Sequence, residues 1–487
     1  MGRKSIRTSL LAVLVLFAQV YISARSSQDI QQGEIIDKII CQDKPEQSYA
    51  LYLPPDYTPE KTWPILIAFD PGAQGRIPLE HFKEAAQEYG YIIAGSNNSK
   101  NGPWLPVMEA AMAVWADTNK RFSIDKKRVY ATGFSGGSRA AAVFSKFVNH
   151  PVEGVIGIGA GLPQQLKPAQ IQPSAYFGII GIGDFNYQPM MRLDNEFDKW
   201  NVPHRFLVYD GEHNWPPQEI CTRAVEWMEV LAMKRKLRPL DNDLIEKIYR
   251  EELEKAQQLE EEGQAYWAVF EYEALVFTFQ EWKDTKDISD RISHLKQSEE
   301  YKQFVNAEKG INEREDLHRQ RFIQTFARIM KSPETIMNLD EIYSELGISQ
   351  LLYKIKNKKN INEYYLASRL LTELFIHSVE EGGRYYEKGD YKMAIVFFEI
   401  AAKSSEYRPS RLSYSHYTLA RFYALNSQKK KALKMLERAV ENGFDNIEAI
   451  ENQKDLKTIQ NSAEYKKIIR ELKKKKSENL NQNIKLF

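Results

Sequence analysis

The stretch Arg128–Ala142, RVYATGFSGGSRAAA, decides how the first half of the chain is read. The apolar run Arg128–Gly133 predicts a buried strand, and Ser138–Asn149 predicts a helix. Between them Gly133-Phe134-Ser135-Gly136-Gly137 fits G-x-S-x-G. In a strand–turn–helix context that pattern is a nucleophile elbow, a sharp and strained turn that lifts a serine hydroxyl above the sheet. Glycines flank the serine because side chains there would strike the neighbouring strand and helix. The five-residue pattern is common by itself; the flanking strand and helix give it weight.

Working outward, the same grammar runs from about residue 30 to 235. Pro64–Asp70, Tyr91–Gly95, Gly154–Gly159, Tyr176–Gly181 and Arg205–Tyr209 read as further buried strands. Amphipathic helices are predicted over Leu79–Tyr89, Val107–Arg121 and Met190–Trp200. Near-continuous apolar strands alternating with helices predict a mostly parallel sheet covered on both faces. Ile35–Cys41 and Ser48–Leu53 read as a leading antiparallel pair.

A serine becomes a useful nucleophile only when a base takes its proton. After a nucleophile elbow the partners follow in the order serine, acid, histidine. His150 comes before the next strand, and His204 sits at the wrong end of its strand. His213, in DGEHNWPP after the strand ending at Tyr209, lies at the carboxyl end where reactive groups gather. His213 is therefore the expected base. Asp184, after the preceding strand, is the favoured acid, with Asp210 and Asp194 as rivals. Gly136 is one expected oxyanion donor. The other is assigned to Gly72 or Ala73 in the loop after Pro64–Asp70, with Ala73 preferred, since Pro71 has no N–H. The loop Ser96–Trp104, with Asn98 and Trp104, reads either as a substrate-binding wall or as a surface turn. Trp215 reads as a subsite wall or as packing.

The bulk numbers exclude some classes. The 487 residues carry 67 Lys plus Arg against 66 Asp plus Glu, a formal net charge of +1. That balance gives no electrostatic reason to expect nucleic acid as a partner. At the N-terminus Arg3, Lys4 and Arg7 precede a short apolar run, Leu10–Ala18, with Ala24 at a small-residue cleavage position. This predicts a signal peptide over residues 1–24 and an exported protein, with an uncleaved membrane anchor as the alternative. The run is too short for a comfortable membrane span. The two cysteines, Cys41 and Cys221, leave a disulfide open. No Cys/His cluster has zinc spacing, so neither a metal nor another cofactor is expected.

Beyond about residue 240 glycine and proline become scarce and the apolar spacing is helical. A helical domain is expected over 240–370, a repeat region over 375–475 and a tail over 476–487. Gly382–Ala402 and Leu419–Gly443 match when Ala394 is set on Ala432: Gly382 falls on Ala420, Tyr385 on Tyr423, Phe398 on Leu436 and Ala401 on Ala439. Glu260–Leu275 is a degenerate third copy, with Gly263, Ala268 and Tyr272 at the same offsets. Tyr465–Leu472 reads as a closing helix. These segments resemble the tetratricopeptide repeat. That resemblance implies a protein partner rather than chemistry.

Residues 30–235 resemble the esterase branch of the α/β hydrolases, including polyhydroxybutyrate depolymerases, feruloyl esterases and dienelactone hydrolases. RVYATGFSGGSRAAA, GIGD (181–184) and GEHNW (211–215) carry the likeness. Many relatives have His-Gly in the first oxyanion loop, whereas this chain has Asp70-Pro71-Gly72. The resemblance implies a serine ester hydrolase that forms an acyl-enzyme on Ser135, with a small ester or polymer-derived acyl group as substrate. A serine peptidase acting on short peptides and a non-catalytic binding module are the competing readings. The sequence offers no large insertion between Gly159 and Tyr176, which predicts an open site for short or bulky polar acyl esters rather than long lipids.

Overall fold

The structure is a computed structural model and describes residues 30–171, 174–331 and 338–484. The signal peptide expected over residues 1–24 lies outside the described residues, as does the end of the tail.

Eight strands form one sheet: β1 (Ile35–Ile40), β2 (Ser48–Tyr52), β3 (Trp63–Phe69), β4 (Ile92–Ser96), β5 (Ile124–Phe134), β6 (Gly154–Ile158), β7 (Ala175–Gly181) and β8 (His204–Tyr209). Their spatial order is β1-β2-β4-β3-β5-β6-β7-β8. β2 pairs antiparallel with β1 and β4, and the strands from β4 to β8 run parallel. This is the α/β-hydrolase arrangement, and it agrees with the expected leading antiparallel pair and parallel sheet. β5 is longer than its apolar run predicts, because Ile124 already pairs with Trp63.

Helices α1 (Arg76–Tyr89), α2 (Trp104–Arg121), α3 (Gly136–Phe147), α4 (Tyr187–Lys199) and α5 (Gln218–Lys234) cover the two faces. Successive strand residues point to opposite faces. Ile65, Ile67 and Phe69 accordingly join one buried cluster, and Leu66 and Ala68 the other. Trp227 of α5 is fully buried in the second cluster and donates its indole N–H to Thr278 at 3.3 Å. Burying one side chain of this kind is worth about 1.5–3 kcal/mol. Cys41 lies in the first cluster and Cys221 in the second, both as free thiols. The sheet separates them, which answers the disulfide question left open by the sequence.

The all-helical region follows with α6 (Asn242–Glu261), α7 (Ala265–Phe279), α8 (Lys286–Gln297), α9 (Glu299–Lys331), α10 (Leu339–Glu345), α11 (Ile348–Lys356), α12 (Ile361–Glu387), α13 (Tyr391–Ser404), α14 (Pro409–Leu425), α15 (Lys429–Glu441), α16 (Ile447–Glu451) and α17 (Ala463–Ile484). Two compact units divide the chain. The first holds the sheet and residues through Val305, and the second holds Gly183–Phe185 with the residues from Asn306 onward. The division falls inside α9, later than the change of composition near residue 240.

In the first unit Val230 and Met233 of α5 share a buried cluster with α6, α7 and α8. There the α6–α7 hairpin turns through Gly263 at φ 75°. In the second unit the α12–α13 and α14–α15 hairpins turn through Gly389 at φ 76° and Ser427 at φ 59°. Each turn residue precedes a fully buried alanine by the same interval: Ala268, Ala394 and Ala432. Ala256, Gly382 and Ala420 are buried at one earlier offset, and Leu275, Ala401 and Ala439 at one later offset. A Cβ on Gly382 would come within 2.5 Å of the Phe398 ring, so glycine sets how closely α12 and α13 approach. The second unit also buries an ion pair, in which Arg369 donates to Glu315 at 3.0 and 2.6 Å.

Candidate active site

The elbow forms because β5 runs directly into α3. Ser135, between them, has φ 54° and ψ −118°, backbone that an L-residue adopts only under strain. Its N–H donates to Ile158 O at 2.8 Å, which ties the turn to β6. A Cβ on Gly137 would sit 2.1 Å from Phe69 O, and one on Gly133 2.3 Å from the Gly137 carbonyl. No side chain fits at either place, as the pattern predicted.

His213 follows β8, and its Nε2 lies 3.0 Å from Ser135 Oγ. Its ring packs on Phe134, with centroids 4.6 Å apart, and Phe134 packs in turn on Trp215. Phe134, to which the sequence assigned no role, therefore flanks the imidazole, with Trp215 behind it. Asp184 follows β7 at the carboxyl end of the sheet and is 1% exposed. By contacts it groups with the second unit, while Ser135 and His213 belong to the first.

Asp194, His204 and His150 have partners of their own away from Ser135. Asp194 pairs with His204 at 3.3 Å, and His204 Nδ1 meets Val202 O at 2.7 Å. Burial pulls the His204 imidazole down. The Asp194 hydrogen bond, the Val202 carbonyl and the charges of Asp194 and Asp198 together leave it above its ordinary value. His150 Nε2 meets Lys126 O at 2.7 Å and the ring stacks on Trp115. Asp210 is exposed.

The loop after β3 is organised by Asp70. Its Oδ1 accepts from Gly72 N at 2.8 Å and Gln74 N at 3.3 Å, and its carbonyl accepts from Ala73 N at 3.0 Å. Its Oδ2 accepts from the Trp215 indole at 3.1 Å. Gly75 N donates to Asn97 Oδ1 at 3.1 Å. The amides of Gly72 and Ala73 are thus satisfied inside the turn, and Ala73 has φ 59°. An Asp-Pro-Gly sequence signals such an Asx-type turn, which was the available clue. Gly136 N, the first N–H of α3, has no acceptor among the described residues.

Trp104 begins α2 and is 40% exposed. Asn98 Oδ1 accepts from Ser48 N at 2.9 Å, and Nδ2 donates to Glu46 O at 3.3 Å, so its side chain fastens the loop to the start of β2. Trp215, besides its bond to Asp70, stacks on His81 with centroids 5.3 Å apart. Burial holds the His81 imidazole below its ordinary value despite a hydrogen bond to the Pro216 backbone. The described residues hold no cluster of three or more His, Cys, Asp or Glu side chains suited to a metal ion, and no helix long and apolar enough to cross a membrane.

No protein-family model matches the sequence, and no curated protein matches it. Among solved structures, S-formylglutathione hydrolase from Staphylococcus aureus is 16% identical over 41% of this chain and 98% of its own, with a TM-score of 0.34. Esterase B from Lactobacillus rhamnosis is 14% identical over 47% of this chain and 98% of its own, with a TM-score of 0.34. Dipeptidyl peptidase 4 from Porphyromonas gingivalis is 16% identical over 40% of this chain, which spans only 35% of that longer protein, with a TM-score of 0.33. Likenesses of this size carry no argument about chemistry. The strand order is that of an α/β-hydrolase fold, a long helical region follows it, and the Ser135–His213 pair lies at the carboxyl end of the sheet.

Proposed function

We propose that the protein is an exported carboxylic-ester hydrolase that acts through an acyl-enzyme on Ser135. The single observation that carries the reading is the 3.0 Å approach of His213 Nε2 to the hydroxyl of a serine held in elbow geometry. In this reading His213 takes the Ser135 proton as the hydroxyl attacks the ester carbonyl, then returns it to the leaving alcohol. Asp184, the acid by chain order and by its buried place after β7, orients the imidazole and stabilises its charged form. Water activated by His213 then releases the acyl group. Short acyl esters are the expected substrates. The helical hairpins, with their buried small residues and left-handed turns, support a tetratricopeptide-like region that docks a protein partner.

The test is fluorophosphonate labelling of the purified protein beside Ser135→Ala, with short p-nitrophenyl esters and long-chain triacylglycerols assayed in parallel. Labelling and ester turnover confined to the wild type are expected. Folded wild-type protein that neither labels nor turns over would sink the enzyme reading, and efficient turnover of long triacylglycerols would sink the short-acyl assignment.

A further inference from the structure

An oxyanion needs two donors placed in advance, and the Ser135 elbow supplies one, Gly136 N–H. The β3 loop does not present a second, because the amides of Gly72, Ala73, Gln74 and Gly75 all have acceptors. The neighbouring loop, after β4, is pinned at three points. Asn97 Nδ2 donates to Asp37 O at 3.0 Å, Asn98 Oδ1 accepts from Ser48 N at 2.9 Å, and Asn101 N donates to Pro71 O at 2.9 Å. Pro103 then leads into α2 with its φ fixed by the ring.

This fastened backbone holds the Asn101 side chain over Gly136. A Cβ on Gly136 would lie 1.8 Å from Asn101 Oδ1 and 2.7 Å from Nδ2. Glycine at 136 leaves the space that the asparagine amide occupies. The Asn101 amide has no hydrogen-bond partner among the described residues, and the residue is exposed. A half-turn of the amide exchanges Oδ1 and Nδ2 while keeping its outline, so the donor edge can face developing negative charge.

We propose that the Asn101 side-chain amide is the second oxyanion donor, in place of a backbone amide of the β3 loop. The proposal rests on the hydrolase reading above. As Ser135 Oγ bonds to the carbonyl carbon, the C=O π pair moves to oxygen and the hydroxyl proton passes to His213 Nε2. The resulting oxyanion accepts from Gly136 N–H and Asn101 Nδ2–H. When the pair returns to restore C=O, the bond to the alcohol oxygen breaks and that oxygen takes the proton from His213. Asparagine suits the role because it offers N–H donors without a charge at any pH.

The experiment compares wild type, Asn101→Ala, Asn101→Asp and Gly136→Ala, the last also in the Asn101→Ala background. The readouts are kcat and KM on a short p-nitrophenyl ester, fluorophosphonate labelling rate and thermal melting. Both Asn101 variants are expected to lose about 10²–10³-fold in kcat with KM little changed and melting preserved. Asn101→Asp should lose at least as much as Asn101→Ala, since a carboxylate repels the oxyanion. Gly136→Ala should be costly alone and much less so once Asn101 is alanine, a coupling expected of touching groups. An active wild type whose Asn101→Ala form keeps kcat within about threefold, or loses only in KM, overturns the donor assignment and leaves the hydrolase reading standing. A wild type that neither labels nor turns over overturns both.

Discussion

His213 Nε2 stands 3.0 Å from Ser135 Oγ although 78 residues of chain separate them. β6, β7 and β8 bring them together by laying three parallel strands beside β5, so that both loops open at the same end of the sheet. Replacing either residue should therefore remove the same function. Ser135→Ala and His213→Ala are each expected to lower kcat by roughly 10⁴–10⁶-fold, and the double variant by little more. Steady-state assays on a short ester check this; additive losses would show that the two do not act as a unit.

The φ of 54° at Ser135 predicts a stability effect opposite in sign to the activity effect. Glycine adopts this backbone without strain, whereas alanine does not. Ser135→Gly is expected to be inactive yet more stable than Ser135→Ala by about 1–2 kcal/mol. Urea unfolding of the two inactive variants measures the difference directly.

Cys41 and Cys221 should behave as two protected thiols. Burial, with the Asp117 charge, pushes the Cys41 thiol up to about 11, and burial pushes Cys221 higher still. The reactive species is the thiolate. Folded protein at pH 8 is therefore expected to react very slowly with a disulfide reagent, and unfolded protein to release two equivalents without prior reduction. A count of zero in denaturant would mean that the thiols had paired.

His204 predicts a local pH dependence. Its folded value is raised, so its contribution to stability is fully present below the ordinary histidine value of about 6.5 and is lost as pH rises through the raised value. Asp194→Asn removes the main supporting partner and leaves the burial that opposes charge. The variant should be less stable than wild type by roughly 1 kcal/mol or less at pH 5.5, and the gap should close by pH 8.5. Melting curves at the two pH values, with NMR titration of the histidine, test the sign.

The hairpin turns predict paired substitutions. Gly263 and Gly389 have left-handed backbone with nothing near the place a Cβ would take, so alanine there should cost only the backbone term, about 1 kcal/mol. Ser427 holds the same position in the α14–α15 hairpin at φ 59°. Ser427→Gly is expected to stabilise by up to about 1 kcal/mol. Thermal melts of the three variants should show two losses and one gain.

Local signals in the sequence were strong where one residue type alone fits. Gly133, Gly137 and the apolar strands were legible because close backbone approach and burial restrict the side chain at its own position. The chain order of Ser135 and His213 pointed to their meeting, since parallel strands open their loops at one end. Small residues at repeated offsets marked the helical hairpins for the same steric reason. What the sequence could not reveal was which hydrogen bonds a polar group makes with distant partners. Asp70 satisfies the amides of Gly72 and Ala73, Asn98 fastens β2, and Asn101 reaches Gly136; each outcome depends on where another loop passes. The separation of Cys41 from Cys221 is of the same kind, because only the folded sheet assigns them to opposite faces. Sequence by itself determined the elements and the direction in which their loops open, through local sterics and hydrophobic periodicity. Tertiary structure decided which polar groups remain available for chemistry, because that depends on partners far away in the chain.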